Sequence, residues 1–344
     1  MSELRWHPLL GQWVINATHR QNRTYKPPAD QCPLCPTPSG TPPEAVTEIP
    51  VPDFEIAVFQ NRFPSLQPAP PAPDVEGTAF YPVRPASGVC EVVVYTADHQ
   101  GDLGTVGLDR VRNLVEVWAD RYRELSALPY VEYVFIFENR GEAVGVTLHH
   151  PHGQIYAYPF LPPLMEKELE QCTKHWQDTG RCLGCDILTM EKEGGRVLHS
   201  DGSFLTFVPF FARFPFETHI WPLRHVAYLP ELTDGERWSL ARALQQLVQT
   251  YDRLFAKPMP YMMAMHQRPA KREEVGGLYH MHIEFLPLAR TATKLKYLAG
   301  SESGAGAFIT DMSPEFQAEN LRAAAAGTPA AAASATAAGS GVSR

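Results

Sequence analysis

Apolar residues fall at helical spacing in two long stretches of the chain. Val111, Leu114, Val115, Trp118, Tyr122 and Leu125 form one stripe, and Ala241, Leu244, Val248, Tyr251 and Phe255 form the other. Thr233 with Glu236 reads as a capping box that opens the second helix. Each helix is followed by a β-rich run, residues 130–138 and 259–265, and then by an H-x-H, His150/His152 and His280/His282. The two H-x-H pairs stand 130 residues apart. Upstream, Cys32-Pro33-Leu34-Cys35 is answered by Cys182-Leu183-Gly184-Cys185, and Asn61-Arg62-Phe63-Pro64 by Ala212-Arg213-Phe214-Pro215. The same elements in the same order mark an internal duplication.

This order predicts an α+β protein built from a duplicated unit, with antiparallel sheets each covered by a long helix. The halves are expected at 1–165 and 166–321. Residues 68–73, only Pro and Ala, read as a loop. From 322 to 344 the chain is mostly Ala, Gly, Ser and Thr, too poor in large apolar groups to offset ordering entropy, and a disordered tail is expected. Within a strand, residues two apart share a face, so each H-x-H is expected to present two imidazoles together.

Composition narrows the function. Hydrophobic residues make up 44% and charged residues 20%, with no run long enough to span a membrane and no basic, apolar N-terminal leader. A cytoplasmic protein without membrane attachment is expected. A net charge of −8 with no basic block argues against a nucleic-acid partner, while leaving room for a small phosphorylated ligand. Six cysteines, four of them in two C-x-x-C pairs, suggest metal ligation more than disulfides. Cys90 and Cys172 read as packing residues.

The strongest signal is Leu148-His149-His150-Pro151-His152-Gly153-Gln154-Ile155-Tyr156. A neutral imidazole can attack phosphorus directly and form a phosphoramidate. Gly153 is expected to let a phosphate approach the backbone, and Gln154 supplies an amide donor for charge on the equatorial oxygens.

At these residues the chain resembles the galactose-1-phosphate uridylyltransferase family, a branch of the histidine-triad superfamily, whose His-Pro-His-Gly-Gln signature stands at His150 to Gln154. The resemblance extends to Phe137-Glu138-Asn139-Arg140-Gly141, to Cys32 and Cys35, His99, Gln60 to Pro64, His266, and Lys296 to Glu302. It implies two histidine-triad-like halves, the N-terminal one catalytic. It also implies a two-step exchange in which His152 takes UMP from UDP-glucose and gives it to galactose 1-phosphate. Gln154, Asn61, Arg62, Asn139, Gly145, Val146 and Thr147 match its nucleotide and phosphate contacts. Lys296, Tyr297, Ser301 and Glu302 match its sugar contacts, although the Gly-Ala-rich stretch 303–309 lacks the glutamine often found there. Arg20 and Arg23 resemble arginines that reach the substrate from the other subunit of a homodimer.

The resemblance further implies a structural zinc held by Cys32, Cys35, His99 and His150. A second site for zinc or iron would be held by Glu168, His266, His280 and His282. Cys182/Cys185 departs from the family's best-known members. With His225 and His280 it would mirror the first zinc set, but His280 cannot serve both, and a reduced structural pair is the expectation. The rival readings are an ADP-sugar or dinucleotide phosphorylase or adenylyltransferase of the same superfamily, and a zinc-stabilised nucleotide-binding protein without turnover.

Overall fold

The computed structural model describes residues 2–22, 27–28 and 31–328. Its strands are β1 (Ser2–His7), β2 (Gln12–Ala17), β3 (Ala57–Gln60), β4 (Val83–Pro85), β5 (Val89–Val94), β6 (Tyr133–Arg140), β7 (His152–Tyr158), β8 (Val197–Ser200), β9 (Phe204–Phe207), β10 (Thr218–Pro222), β11 (Tyr261–His266) and β12 (His282–Pro287). Its α-helices are α1 (Leu108–Ser126), α2 (Pro163–Thr179), α3 (Leu183–Lys192), α4 (Asp234–Leu254) and α5 (Pro314–Ala325).

The order β3-β5-β7-β6-β11-β12-β10-β9-β8 forms one nine-stranded sheet, and β2-β1-β4 forms a small second one. Every named strand pair is antiparallel. The large sheet reads nearly the same from either end once β6 is matched with β11, β7 with β12, β5 with β10 and β3 with β9. The duplication is thus a physical pseudo-symmetry, and the halves share one sheet, joined where β6 pairs with β11 from Tyr261↔Arg140 to Met265↔Ile136.

Helices α1 and α4 cover one face. Val111, Leu114, Val115, Trp118, Tyr122 and Leu125 of α1 are buried against Leu240, Leu244, Leu247, Val248, Tyr251 and Leu254 of α4 and the sheet. Each fully buried side chain of this size contributes roughly 1.5–3 kcal/mol. The Thr233/Glu236 capping box is formed as expected. Helices α2 and α3 leave a weak trace in the sequence because α2 buries little beyond Met165 and Leu169. No helix among the described residues is long and apolar enough to cross a membrane.

Strand β7 alternates strictly. Gly153, Ile155 and Ala157 are buried toward the helices, while His152, Gln154, Tyr156 and Tyr158 line the opposite face. Both H-x-H pairs straddle a strand start, for β7 begins at His152 and β12 at His282. His150 and His280 precede the strands; His150 does not line the cleft that His152 enters, whereas His280 and His282 border one cavity beside Trp221.

The ordered C-terminal half also runs past the expected boundary at 321. Helix α5 reaches Ala325, Ala324 is buried, Arg253 Nε donates to the Ala324 carbonyl, and Arg322 Nη1 donates to the carbonyls of Gly195 and Val197. The remainder of the expected tail, 329–344, lies outside the described residues. Ending the chain after 321 should lower its stability by about 1–3 kcal/mol through these lost contacts. Ending it after 328 should leave the melting temperature unchanged, since residues 329–344 carry almost nothing to bury. Thermal unfolding of the two truncations checks this.

Candidate active site

On the face of the sheet away from α1 and α4, a cleft of about 230 Å3 opens over β7 and β6. Period-2 alternation brings His152, Gln154 and Tyr156 from β7 and Phe137 and Asn139 from β6 to its floor. The turn Gly145-Val146-Thr147, with Gly145 at φ 83°, forms one rim. Asn61, Arg62 and Arg20 form another. Leu34, Phe63 and Tyr156, from the motifs quoted above, also line it, with Glu48, Phe59 and Val92, which the sequence did not single out. Phe137 meets Tyr156 edge-on at 5.0 Å and stacks on Phe135 at 5.2 Å, giving the cleft an aromatic wall.

The His152 ring is oriented by the backbone. Its Nδ1–H donates to the His150 carbonyl at 2.7 Å, which leaves the lone pair on Nε2. Burial lowers the imidazole's affinity for a proton, opposed by that hydrogen bond, so the neutral form prevails near pH 7. Gln154 is oriented as well. Its Oε1 accepts from Asn61 Nδ2 at 3.4 Å and from the Tyr156 hydroxyl at 3.3 Å, leaving the Nε2 amide as a donor. Asn61 is fixed in turn by the Phe63 N–H, which donates to its Oδ1 at 2.8 Å. Gly153 serves a different purpose from the expected one. A Cβ there would point to the helix side and overlap the Tyr95 hydroxyl, so this glycine is required by packing beneath the strand.

Two clusters beside the sheet have the same construction. Cys32, Cys35, His99 and His150 converge, and so do Cys182, Cys185, His225 and His280. In the first, Cys35 Sγ lies 3.3 Å from His99 Nδ1 and 3.5 Å from His150 Nδ1. In the second, Cys185 Sγ lies 3.5 Å from the Nδ1 atoms of both His225 and His280. Tetrahedral zinc with ordinary Zn–S and Zn–N bonds sets sulfur and nitrogen roughly 3.6 Å apart. His150, His225 and His280 each turn Nε2–H to a carbonyl, of Thr96, Gly276 and Pro222 at 2.7, 2.8 and 2.9 Å, which fixes the tautomer that offers Nδ1. Both groups have the donor set and spacing that fit a metal ion.

The expected set Glu168, His266, His280 and His282 needs correction, because His280 is committed to the cysteines. Glu284 stands in its place, grouped with Glu168, His266 and His282. Two carboxylates at the centre of this buried group require positive charge. Burial disfavours a proton on His266, yet Glu168 and Glu284 outweigh it and raise the imidazole to about 9. A neighbouring trio, Glu217, His219 and Glu284, shares Glu284 with this group. His219 Nε2–H donates to Glu217 at 3.0 Å, its Nδ1 accepts from Trp221 at 3.2 Å, and Arg213 closes on Glu284 at 2.7 Å.

Pseudo-symmetry explains why the second half differs. Register pairs Glu138 with Gly153 in the first half and Met265 with Ile283 in the second. His282, Glu284 and His266 therefore occupy the positions of His152, Gln154 and Asn139. Two side-chain amides are thereby replaced by a carboxylate and an imidazole, groups that could hold a cation.

Four expected contacts lie outside this cleft. Lys296 is buried in its own segment, where its Nζ meets Glu302 at 2.9 Å and the Ile309 carbonyl at 2.5 Å. The Ser301 hydroxyl donates to Ala307, and Tyr297 is exposed. Arg20 reaches the cleft of its own chain, where Nη1 donates to the Phe63 carbonyl at 3.1 Å and to the Tyr156 hydroxyl at 3.3 Å. A second subunit is therefore not needed to bring it there. Arg23 lies outside the described residues.

Residues 1–162 match the family described as galactose-1-phosphate uridyl transferase, N-terminal domain, and residues 168–332 match its C-terminal domain. The galactose-1-phosphate uridylyltransferase of Thermotoga maritima is 41% identical, over 94% of this chain and 98% of that one. The Streptomyces lividans enzyme of the same name is 38% identical, over 93% and 86%. A solved uridylyltransferase structure superposes with a TM-score of 0.84 at 35% identity, covering 94% of this chain and 98% of that one. An Arabidopsis thaliana ADP-glucose phosphorylase, 22% identical, superposes at 0.71 over 94% and 98% and shares the fold. The chain belongs to the galactose-1-phosphate uridylyltransferase family.

Proposed function

We propose that the chain exchanges UMP between UDP-glucose and galactose 1-phosphate through a covalent uridylyl-His152 intermediate formed in the N-terminal half. The observation that carries this reading is the Nδ1–H hydrogen bond from His152 to the His150 carbonyl, which leaves the Nε2 lone pair for attack beside Gln154, Asn61 and Asn139. In the first step Nε2 attacks the α-phosphorus and the bond to the bridging oxygen breaks. Glucose 1-phosphate leaves as an anion that needs little acid assistance. In the second step a phosphate oxygen of galactose 1-phosphate attacks the same phosphorus and the P–N bond breaks. The positive charge that the new P–N bond leaves on the imidazole, whose Nδ1 keeps its proton, is stabilised through Nδ1–H by the His150 carbonyl. Gln154 Nε2, Asn139, Thr147 and Arg20 hold the phosphate oxygens, and Phe137 and Tyr156 flank the nucleotide.

Two Cys2His2 zinc sites, with iron or zinc at Glu168, His266, His282 and Glu284, complete the reading. The first zinc would fix His150, and with it the carbonyl that orients His152. We place the protein in the cytoplasm, where its six free cysteines stay reduced. A homodimer is part of this reading. Lys296, Tyr297, Ser301 and Glu302 lie outside their own chain's cleft, so sugar contacts from this segment would be made across the subunit interface.

Incubation with base-labelled UDP-glucose or ADP-glucose, each alone, tests the assignment. Uridylyl label should remain on the protein, and UDP-glucose should exchange with free glucose 1-phosphate in the absence of galactose 1-phosphate. Adenylyl label in its place, or hydrolysis of UDP-glucose faster than exchange, overturns it.

A further inference from the structure

Behind the cleft, on the helix side of the sheet, the core holds a carboxylate where an apolar side chain would cost less. Glu138 of β6 is buried, and its two oxygens are each met by a tyrosine. The Tyr95 hydroxyl donates to Oε2 at 3.2 Å and the Tyr261 hydroxyl to Oε1 at 3.1 Å. Burying a carboxyl group is expensive even with partners, so its presence at a site that touches no ligand calls for a physical reason.

The reason lies in what Tyr95 does to the chain around His152. Its backbone N–H donates to the Pro151 carbonyl at 3.2 Å. Its hydroxyl occupies the space where a Cβ on Gly153 would stand. One residue thus braces the chain on both sides of His152, and Glu138, paired in register with Gly153, holds the hydroxyl in place. Tyr261 belongs to β11 and donates to the same carboxylate from the C-terminal half, and among the described residues no hydrogen bond joins it to β7.

We infer that Tyr95 and Glu138 form a positioning pair that sets the depth and direction of the His152 imidazole from behind the sheet. The inference rests on His152 being the nucleophile. The groups facing Glu138 are Tyr95 at the end of β5, Tyr261 of β11 and Arg140 of β6, with Asp102 before α1 and Asp252 of α4 held on Arg140 at 2.5 and 2.6 Å. Burial raises the Glu138 carboxyl to about 7 against the pull of Arg140 and the two hydroxyls. The ionised carboxylate accepts from both tyrosines. Once protonated it must use one oxygen as a donor, and the array rearranges.

The test is the single-turnover rate at which UDP-glucose labels the protein, followed with melting temperature in Tyr95→Phe, Tyr261→Phe and Glu138→Gln. Both tyrosine variants lose one hydrogen bond to the same carboxylate and should lose similar stability. Tyr95→Phe should slow labelling by about ten- to a hundredfold with KM nearly unchanged, because misplacement of a nucleophile is felt in the rate of attack. Tyr261→Phe should stay within about twofold of the wild type. The wild-type rate should rise with pH through about 7, and Glu138→Gln should be slow and lack that inflection. All variants should reach the same final labelling. Equal rate losses in the two tyrosine variants, or a wild-type rate and pH profile in Glu138→Gln, overturn the positioning role. Absence of label on the wild type overturns the nucleophile assignment instead.

Discussion

Replacing His152 by alanine abolishes transfer while the chain keeps its fold. The rate should fall on the order of 10⁴-fold or more, because without Nε2 there is no nucleophile to split the reaction into two displacements. The structural loss is small. The ring lines a cleft and makes one hydrogen bond, to the His150 carbonyl at 2.7 Å, worth about 1 kcal/mol. The neighbouring cysteine cluster uses His150 Nδ1 and is untouched by the change, so metal content should match the wild type. Two measurements decide the matter: labelled nucleotide retained on the denatured protein, and the melting temperature. Activity above a few per cent of the wild type, or label that persists in the variant, would place the nucleophile elsewhere.

Much of this site was readable from the sequence because its residues are close neighbours on one element or on elements whose order the duplication fixes. His152, Gln154 and Tyr156 share a face by strand alternation alone. The cysteine clusters were legible as C-x-x-C pairs, each with a downstream H-x-H. What spacing could not reveal was where a strand begins. Because β7 and β12 start at the second histidine of each pair, His150 and His280 turn toward the cysteines. That half-turn sends His280 to Cys182 and Cys185 and leaves its expected place to Glu284, two residues past His282 and on the same face. Residues 296–302 carried a motif but no periodicity, and their separation from the cleft is a tertiary fact.

Glu138 shows the other limit. Its neighbours Phe137 and Asn139 face the cleft, so a reading of Phe137-Glu138-Asn139 as one functional block hides the inversion of every second side chain. The carboxylate's partners, Tyr95 and Tyr261, lie 43 and 123 residues away in the chain. No local pattern joins them. Gly153 was misread for the same reason, since the side from which its missing Cβ matters depends on the face of the strand.

The second large effect concerns the cluster that pseudo-symmetry duplicates. Cys182→Ser should remove one bound zinc per chain and lower the melting temperature, while Cys32→Ser should remove a different one. Zinc ligated by thiolates and imidazoles contributes on the order of 10 kcal/mol in isolated zinc-binding peptides, and metal binding free energy is also folding free energy. In a chain with a large independent core only part of this appears, and a fall of about 10 °C is expected from a loss of several kcal/mol. The functional consequences should separate. In the proposed site His150 would supply a ligand atom while its carbonyl accepts from His152, so losing the first metal should depress transfer as well as stability. His280 plays the same double part toward His282, whose Nδ1–H donates to the His280 carbonyl at 3.1 Å, but His282 faces Glu168 and Glu284 and has no phosphate to attack. Losing the second metal should therefore destabilise the C-terminal half and leave the labelling rate of the folded protein within about twofold. Zinc content by elemental analysis, melting temperature and labelling rate on the same preparations read all three outcomes. Unchanged zinc in Cys182→Ser would remove the second cluster from the ligand set, and an equal loss of rate in both variants would mean that the two halves are coupled more tightly than their separate clusters imply.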